Sequence, residues 1–499
     1  MVTNLSQYLK QQLLVNGEKI AVRDNDERYT FNELDNNSKC IASAIKNKSP
    51  KQNIPVILFM DKTVKLYSCI YGVLYSGNYY VPLDTKSPVE RLQKIFSVVD
   101  AEIAIVDDKY KDYVRENGFT GEVITVDAVS KTECFDIDLS GIIDTDPAYM
   151  LFTSGSTGIP KGVLVSHRTV IDYIEWQNNT LIFDDETVLG NQAPFYFDAS
   201  MPDIFTPVSV GCELVIIPEN LFLLPNKLIE FINEYGINSL IWVPSALINM
   251  VQKDYFQNQL INNLRQVMFC GSVMPNRHLN IWRKYYPETQ FVNLYGPTEA
   301  GYACTYYIVD CPFANHEMLP LGKACENTRI MVVNGDELVT KEGEGELYIA
   351  GSCLAIGYYK DEEKTNQSFI RNPFNNNYYE KVYKTGDLVR YDDKGNLEFI
   401  TRKDFQIKHH GYRIELGEIE SACYTIDNIK ECCVIYDNES EQINLFVIGE
   451  ELDEKRIYSS LKTKLPKYML PAKIVLLDKF PLNPNGKIDR NILLKLVRG

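Results

Sequence analysis

From "NIPVILFM" (residues 53–60) to about residue 350, short apolar runs alternate with longer amphipathic stretches, as in "AEIAIVDD", "YMLFT", "CELVIIPE", "NSLIWVPS" and "QVMFCGS". A strand buried on both faces reads as a continuous apolar run, and parallel strands need helical crossovers to connect them. The rhythm therefore predicts parallel sheets covered by helices. Past residue 340 the texture changes to "GELYIAGS" and "DLVRYDDKGNLEFITRK", with a hairpin signal at Asp393 to Gly395; this predicts a β-rich region. At 499 residues the chain exceeds the roughly 250–300 at which a single core stops growing, so more than one domain is expected. The fold class is read as multi-domain α/β. Residues 1–401 form a large domain of helix-covered sheets with a β-rich subdomain, 402–404 a junction, and 405–499 a small α+β domain.

Charge narrows the partners. The net charge is −16, which argues against nucleic acid or an anionic membrane. Residues 405–499 hold 14 Lys+Arg and 14 Asp+Glu, so the acidity lies in the front part. The opening "MVTNLSQYLKQQLLVNGEKIAV" mixes charge and amide through its apolar positions, and no stretch of 18 apolar residues follows. Neither a signal peptide nor a membrane span is expected, which suggests a cytoplasmic protein. The twelve cysteines are scattered, several in apolar runs (Cys212, Cys270, Cys353), and most read as small buried hydrophobes. With five histidines and no CxxC or HExxH, a dedicated zinc site is not expected.

"LFTSGSTGIPKGVLVSHRT" (151–169) sets glycines, hydroxyls and Lys161 between a strand-like run and a helix that Ser166 could cap. Gly155 and Gly158 permit close backbone approach, while Thr153, Ser154, Ser156 and Thr157 add hydroxyl donors. Together with Lys161 they could cradle phosphate. It is not a Walker A loop. Composition alone fits a plain Ser/Gly turn equally well.

The companion segments are more specific. "YTFNEL" (29–34), "VLYSGNYYVPLD" (73–84), "FYFDAS" (195–200), "NLYGPTE" (293–299), "GELYIAGSCLAIGYY" (345–359), "YKTGDL" (383–388), "RKDFQIKHHGYRIELGEIE" (402–420) and "NPNGKIDR" (483–490) follow one another. With the loop, they resemble the ordered motifs of adenylate-forming enzymes, the superfamily of acyl-CoA synthetases, luciferases and amino-acid adenylation domains. The resemblance covers almost the whole chain. It implies activation of a carboxylate by ATP to an acyl-adenylate with release of pyrophosphate, then transfer of the acyl group to a thiol.

The resemblance also implies roles. Residues 153–161 would embrace the β- and γ-phosphates, and Glu299 would hold Mg2+, a hard cation suited to oxygen ligands. Asn293, Tyr295, Gly296 and Thr298 would face the nucleotide, with Asn293 and Tyr295 on the adenine. Asp387 would accept the ribose hydroxyls, and Arg402 would reach ribose or phosphate. The usual "GRxD" reads "TRKD" here, with Thr401 in place of glycine. Lys487 would bridge the attacking carboxylate and the α-phosphate. Asp404 would be the hinge about which the C-terminal domain rotates between the two steps. After rotation "HHGYRIELGEIE" would line the thiol's path, with Gly411 leaving room for a phosphopantetheine arm.

Asp198 of "FDAS" departs from acyl-CoA synthetases and resembles the aspartate that holds an amino acid's α-ammonium group; a helix N-cap is the plainer reading. The family's pocket positions fall on Asp198, Ala199, Pro202, Trp242, Met268, Cys270, Leu294, Tyr302, Ala303 and Lys487. Apart from the aspartate and the lysine they are almost wholly apolar, which favours a small apolar amino acid. "MFCGSVMP" resembles the D-alanine:carrier-protein ligases of teichoic-acid alanylation, whereas "FDAS" and "ELGEIE" look more like nonribosomal peptide synthetase domains. The chain has no "GGxS" or "DSL" carrier serine, so the thiol is expected from a separate carrier protein that docks near "KTKLPKYMLPAK". The alternatives are an acyl- or aryl-CoA synthetase and a non-catalytic nucleotide-binding scaffold.

Overall fold

The computed structural model describes residues 2–129, 134–155, 160–251, 255–340, 343–403, 406–481 and 488–498. Three large sheets within residues 20–402 carry the described part of the front half. In a seven-stranded sheet, Tyr79–Pro82, Pro55–Phe59, Ile103–Val106 and Glu122–Thr125 run parallel, buried through most of their length. Pro147–Thr153 continues the sheet and pairs antiparallel with Lys161–Ser166. The helix Val64–Tyr75 joins the strands at 55–59 and 79–82 and is buried almost throughout. It packs on Phe31–Lys48, whose start is fixed by a reciprocal Thr30–Glu33 capping box. Ser166 accepts the Thr169 N–H and caps the helix His167–Thr180, as the sequence predicts.

In a nine-stranded sheet, Ile20–Arg23, Glu213–Ile216, Val188–Asn191, Ser239–Trp242, Gln266–Phe269 and Gln290–Tyr295 run parallel, with antiparallel strands added at both edges. Side chains on its two faces enter different core clusters. Loops leaving the carboxyl ends of parallel strands converge at one edge, where open α/β sheets bind ligands. Asp198, Val243, Cys270 and Glu299 all follow such ends.

Residues 328–402 form a six-stranded antiparallel sheet that includes the predicted hairpin at Asp393 to Gly395, between Lys381–Tyr391 and Leu397–Arg402. The C-terminal segment has sheets of its own. One is the ribbon Gln406–His409 with Tyr412–Glu415; the other joins Ile429–Asp437, Gln442–Gly449 and Lys473–Leu476. The helices Leu416–Tyr424 and Glu454–Lys464 pack on these around Ile414, Ile419, Leu445 and Leu461.

The cysteine expectation needs one correction. Cys40 and Cys134 form a disulfide with Cα atoms 4.4 Å apart. Spacing could not announce it, since the partners lie 94 residues apart. Nine of the other ten are buried. Among the described residues no helix is long and apolar enough to cross a membrane.

Candidate active site

The strand ends surround a cavity lined by Phe152, Thr153 and Ser154 beside the glycine-rich loop and by Asp198, Ala199, Cys270 and Tyr302. Asp198 is delivered by the turn after Val188–Asn191, and Phe197 and Ser200 stand at the cap positions of the two helical turns that follow. Its carboxylate accepts the Thr298 hydroxyl at 2.5 Å. Burial pushes the Asp198 carboxyl up, and the Thr298 hydroxyl, Lys408 and Arg413 oppose that rise. Cys270 lines the same cavity, its thiol pushed up to about 11 by burial, so it is an uncharged wall at neutral pH.

Backbone geometry shapes this region as well. Gly296 leaves no room for a side chain, because a Cβ would lie 2.5 Å from the Tyr302 carbonyl oxygen. Tyr302 itself has φ 141°, a strained value for a non-glycine residue.

Of the predicted pocket residues, Ala199, Cys270 and Tyr302 line the cavity with Asp198. Pro202, Met268, Leu294 and Ala303 are buried in the core behind it. Trp242 must be corrected. It pairs in register with Phe269 and lies with it in one core cluster, whereas Met268 pairs with Ile241 and lies with it in the other. Strand alternation thus turns the Trp242 indole away from Met268 and Cys270, and its N–H donates to the Gly190 carbonyl at 2.8 Å. Val243, one residue on, lines the cavity instead.

The nucleotide candidates gather nearby. Asp387 and Arg402 are registered partners at the end of a hairpin. Arg402 donates to Asp387 Oδ1 at 2.5 Å and to the Thr385 carbonyl at 3.0 Å, and the Tyr295 hydroxyl donates to Asp387 Oδ2. Each carboxylate oxygen keeps a second lone pair for a further donor. Asn293 donates to the Pro320 carbonyl at 2.8 Å. Gly296 and Thr298 line the cavity beside them.

Sequence reasoning sets 409–420, with Gly411, along the thiol's path, but it does not single out Lys408, Arg413 or Tyr468. Lys408, Gly411, Arg413 and Tyr468 line the cavity, and the Tyr412 and Tyr468 rings stack at 3.8 Å with Phe197 edge-on to Tyr412. Gly411 has φ 86°, and a Cβ there would meet Val243 Cγ1 at 2.7 Å. The Arg413 guanidinium donates to Glu299 Oε2, while the Tyr358 hydroxyl donates to Oε1 at 2.7 Å. Burial pushes the Glu299 carboxyl up, but the Arg413 guanidinium outweighs it and holds the carboxyl below its ordinary value. The Arg413 cation thus neutralises Glu299 in this arrangement, which disfavours a second cation on the same carboxylate. Among the described residues, no group of three or more His, Cys, Asp and Glu could hold a metal. Ser156, Thr157, Gly158, Asp404 and Lys487 lie outside the described residues.

A cavity at the carboxyl ends of parallel strands, with a glycine-rich loop beside it and a carboxylate in its lining, suits a nucleotide-using enzyme. The chain belongs to the AMP-binding enzyme family, which it matches over residues 9–359; residues 418–487 match the AMP-binding enzyme C-terminal domain. It is therefore a member of the adenylate-forming superfamily. Zwittermicin A synthase ZmaJ of Bacillus cereus is 30% identical over 99% of this chain and 95% of that protein. Bacitracin synthase 1 of Bacillus licheniformis is 32% identical over 98% of this chain, which spans only 9% of that relative's length. Among solved structures, holo-PA1221, described as an NRPS protein containing adenylation and PCP domains, superposes with a TM-score of 0.87 at 22% identity. The match covers 99% of this chain and 84% of that one, a likeness of fold.

Proposed function

We propose that the protein activates an amino acid with ATP to an aminoacyl-adenylate, releasing pyrophosphate, and then transfers the aminoacyl group to the phosphopantetheine thiol of a carrier protein supplied by another chain. The observation that carries this reading is Asp198, a carboxylate lining the cavity that is bonded by neutral groups, the Thr298 hydroxyl and the Ala199 backbone. A substrate ammonium would complete it, whereas a fatty or aryl acid would leave it unpaired. The walls formed by Ala199, Cys270 and Tyr302 favour a small, apolar side chain. Cys270 in these walls also favours a second reading, a D-alanine:carrier-protein ligase.

In the first step, the amino acid's carboxylate attacks the α-phosphorus of ATP and pyrophosphate leaves. Asp198 would orient the nucleophile, Asp387 and Arg402 the ribose, and the 153–161 loop with Lys161 the departing phosphates. Lys487 would neutralise charge at the α-phosphate. Glu299 would serve the metal only with Arg413 withdrawn. In the second step, the thiol attacks the acyl carbon and AMP leaves. The hairpin around Gly411, packed against Val243, supports a thiol path on this side, with residues 402–404 as the junction between domains 1–401 and 405–499.

Pyrophosphate exchange across a panel of amino acids, both enantiomers of alanine and plain carboxylic acids tests this. Exchange with small amino acids is expected; exchange with fatty or aryl acids alone would overturn it. Lys487→Ala should lower exchange by about 10²–10³-fold while ATP still binds in calorimetry.

A further inference from the structure

The described donors of the glycine-rich loop are engaged by the C-terminal segment. The Gly155 N–H donates to Glu418 Oε2 at 3.1 Å. Lys161 Nζ lies 3.6 Å from Glu415 Oε1. The Ser154 hydroxyl donates to the Arg413 carbonyl at 2.9 Å and accepts the Glu415 N–H at 3.0 Å. The other Glu418 oxygen accepts Arg91, a pair whose side chains are 8% and 4% exposed. A backbone N–H, an ammonium and a hydroxyl are the donors a phosphate chain requires. Here two carboxylates use the first two, and backbone groups of the same segment use the hydroxyl. Arg413 meanwhile neutralises Glu299.

We propose that Arg413, Glu415 and Glu418 act as an internal stand-in for pyrophosphate and its counter-cation, so that the C-terminal segment and pyrophosphate compete for one set of groups. The inference rests on the adenylate-forming reading and adds positioning residues that decide which half-reaction the cavity serves. Docking of the hairpin then requires that pyrophosphate has left, and pyrophosphate expels the hairpin. The Gly155 amide has one hydrogen and cannot serve both. Buried ion pairs such as Arg91–Glu418 sit near break-even, because desolvation cancels most of their attraction. The docked state is therefore poised rather than locked, and a more highly charged anion displaces it.

Competition has a reciprocal consequence: whatever weakens docking strengthens pyrophosphate binding by the same factor. If the segment is docked about nine-tenths of the time, apparent pyrophosphate affinity is about tenfold below its intrinsic value. A variant docked about half the time binds about fivefold tighter.

The test uses the intact chain and sodium pyrophosphate in a magnesium buffer. Calorimetry measures binding, and hydrogen exchange follows residues 406–424. Pyrophosphate is expected to raise exchange in this segment. Glu418→Gln and Glu415→Gln, which keep side-chain size, should each lower the pyrophosphate dissociation constant about fivefold and slow thioester formation relative to adenylation. A merely structural role would not tighten pyrophosphate binding. Three outcomes overturn the inference: pyrophosphate bound with exchange in 406–424 unchanged, variants that bind it equally or more weakly, and no binding in any form. Failure of every amino acid in the exchange panel would overturn the proposed function and leave this competition standing. Amino-acid-dependent exchange without competition would refute only this inference.

Discussion

The Asp198 side of the cavity and the glycine-rich loop are built on different terms. On the Asp198 side, Asp198, Thr298, Cys270 and Tyr302 all come from loops at the ends of one sheet's strands, and the bond between Asp198 and Thr298 stays within that body, with only the charges of Lys408 and Arg413 reaching Asp198 from the C-terminal segment. At the glycine-rich loop, Ser154, Gly155 and Lys161, and Glu299 beside Arg413, each bond or pair with a group from Arg413 to Glu418. The Asp198–Thr298 bond is internal to one body, whereas the loop takes its partners from a separately cored segment. Selection of the acid should therefore survive movement of the C-terminal segment, while phosphate binding should depend on it.

The largest break in this contrast is Asp198→Asn. Removing one partner of a buried ion pair costs roughly 3–5 kcal/mol, so kcat/KM for the amino acid should fall about 10³-fold in pyrophosphate exchange. ATP affinity should change far less, since the hydroxyl bonded to Asp198 comes from Thr298, and the bonds and pairs of Ser154, Gly155 and Lys161 run to the C-terminal segment. A comparable loss of ATP affinity would show that the two regions are not independent.

Gly411→Ala probes the C-terminal segment. The left-handed φ of 86° costs an alanine roughly 1–2 kcal/mol, and its methyl group would press on Val243. Both penalties fall on the docked arrangement. Thioester formation should drop about tenfold more than adenylation, read as the ratio of the two rates in single-turnover measurements. Equal losses in both steps would place Gly411 outside the alternation.

What could be read from the sequence follows the same division. The parallel sheets, the loop at 151–161 and Asp198 were legible because each is a local pattern: apolar runs, turn residues and a short motif. Trp242 was misplaced because facing depends on register, and only its pairing with Phe269 shows which side of the sheet it takes. The pairings of Gly155 with Glu418 and of Arg413 with Glu299 span 263 and 114 residues. Nothing local marks a glutamate as the partner of a distant amide. "ELGE" reads as an ordinary helix start until the fold brings it to the loop.

The smallest effect sharpens the Asp198 side through pH. Under the proposed function the substrate ammonium binds ionised Asp198, whose carboxyl burial pushes up while the Thr298 bond and the charges of Lys408 and Arg413 oppose the rise. As pH falls through that raised value Asp198 takes up a proton, so kcat/KM for the amino acid should decline on the acid side while the substrate ammonium stays charged. Thr298→Val keeps the shape and removes the hydroxyl. A hydrogen bond to a charged group is worth roughly 1.5–3 kcal/mol, or about one to two pH units, so the acid limb should move to higher pH by that amount. Above both acid limbs, the loss should be only a few-fold. An acid limb that stays where the wild-type limb lies would mean that the Thr298 hydroxyl does not tune Asp198.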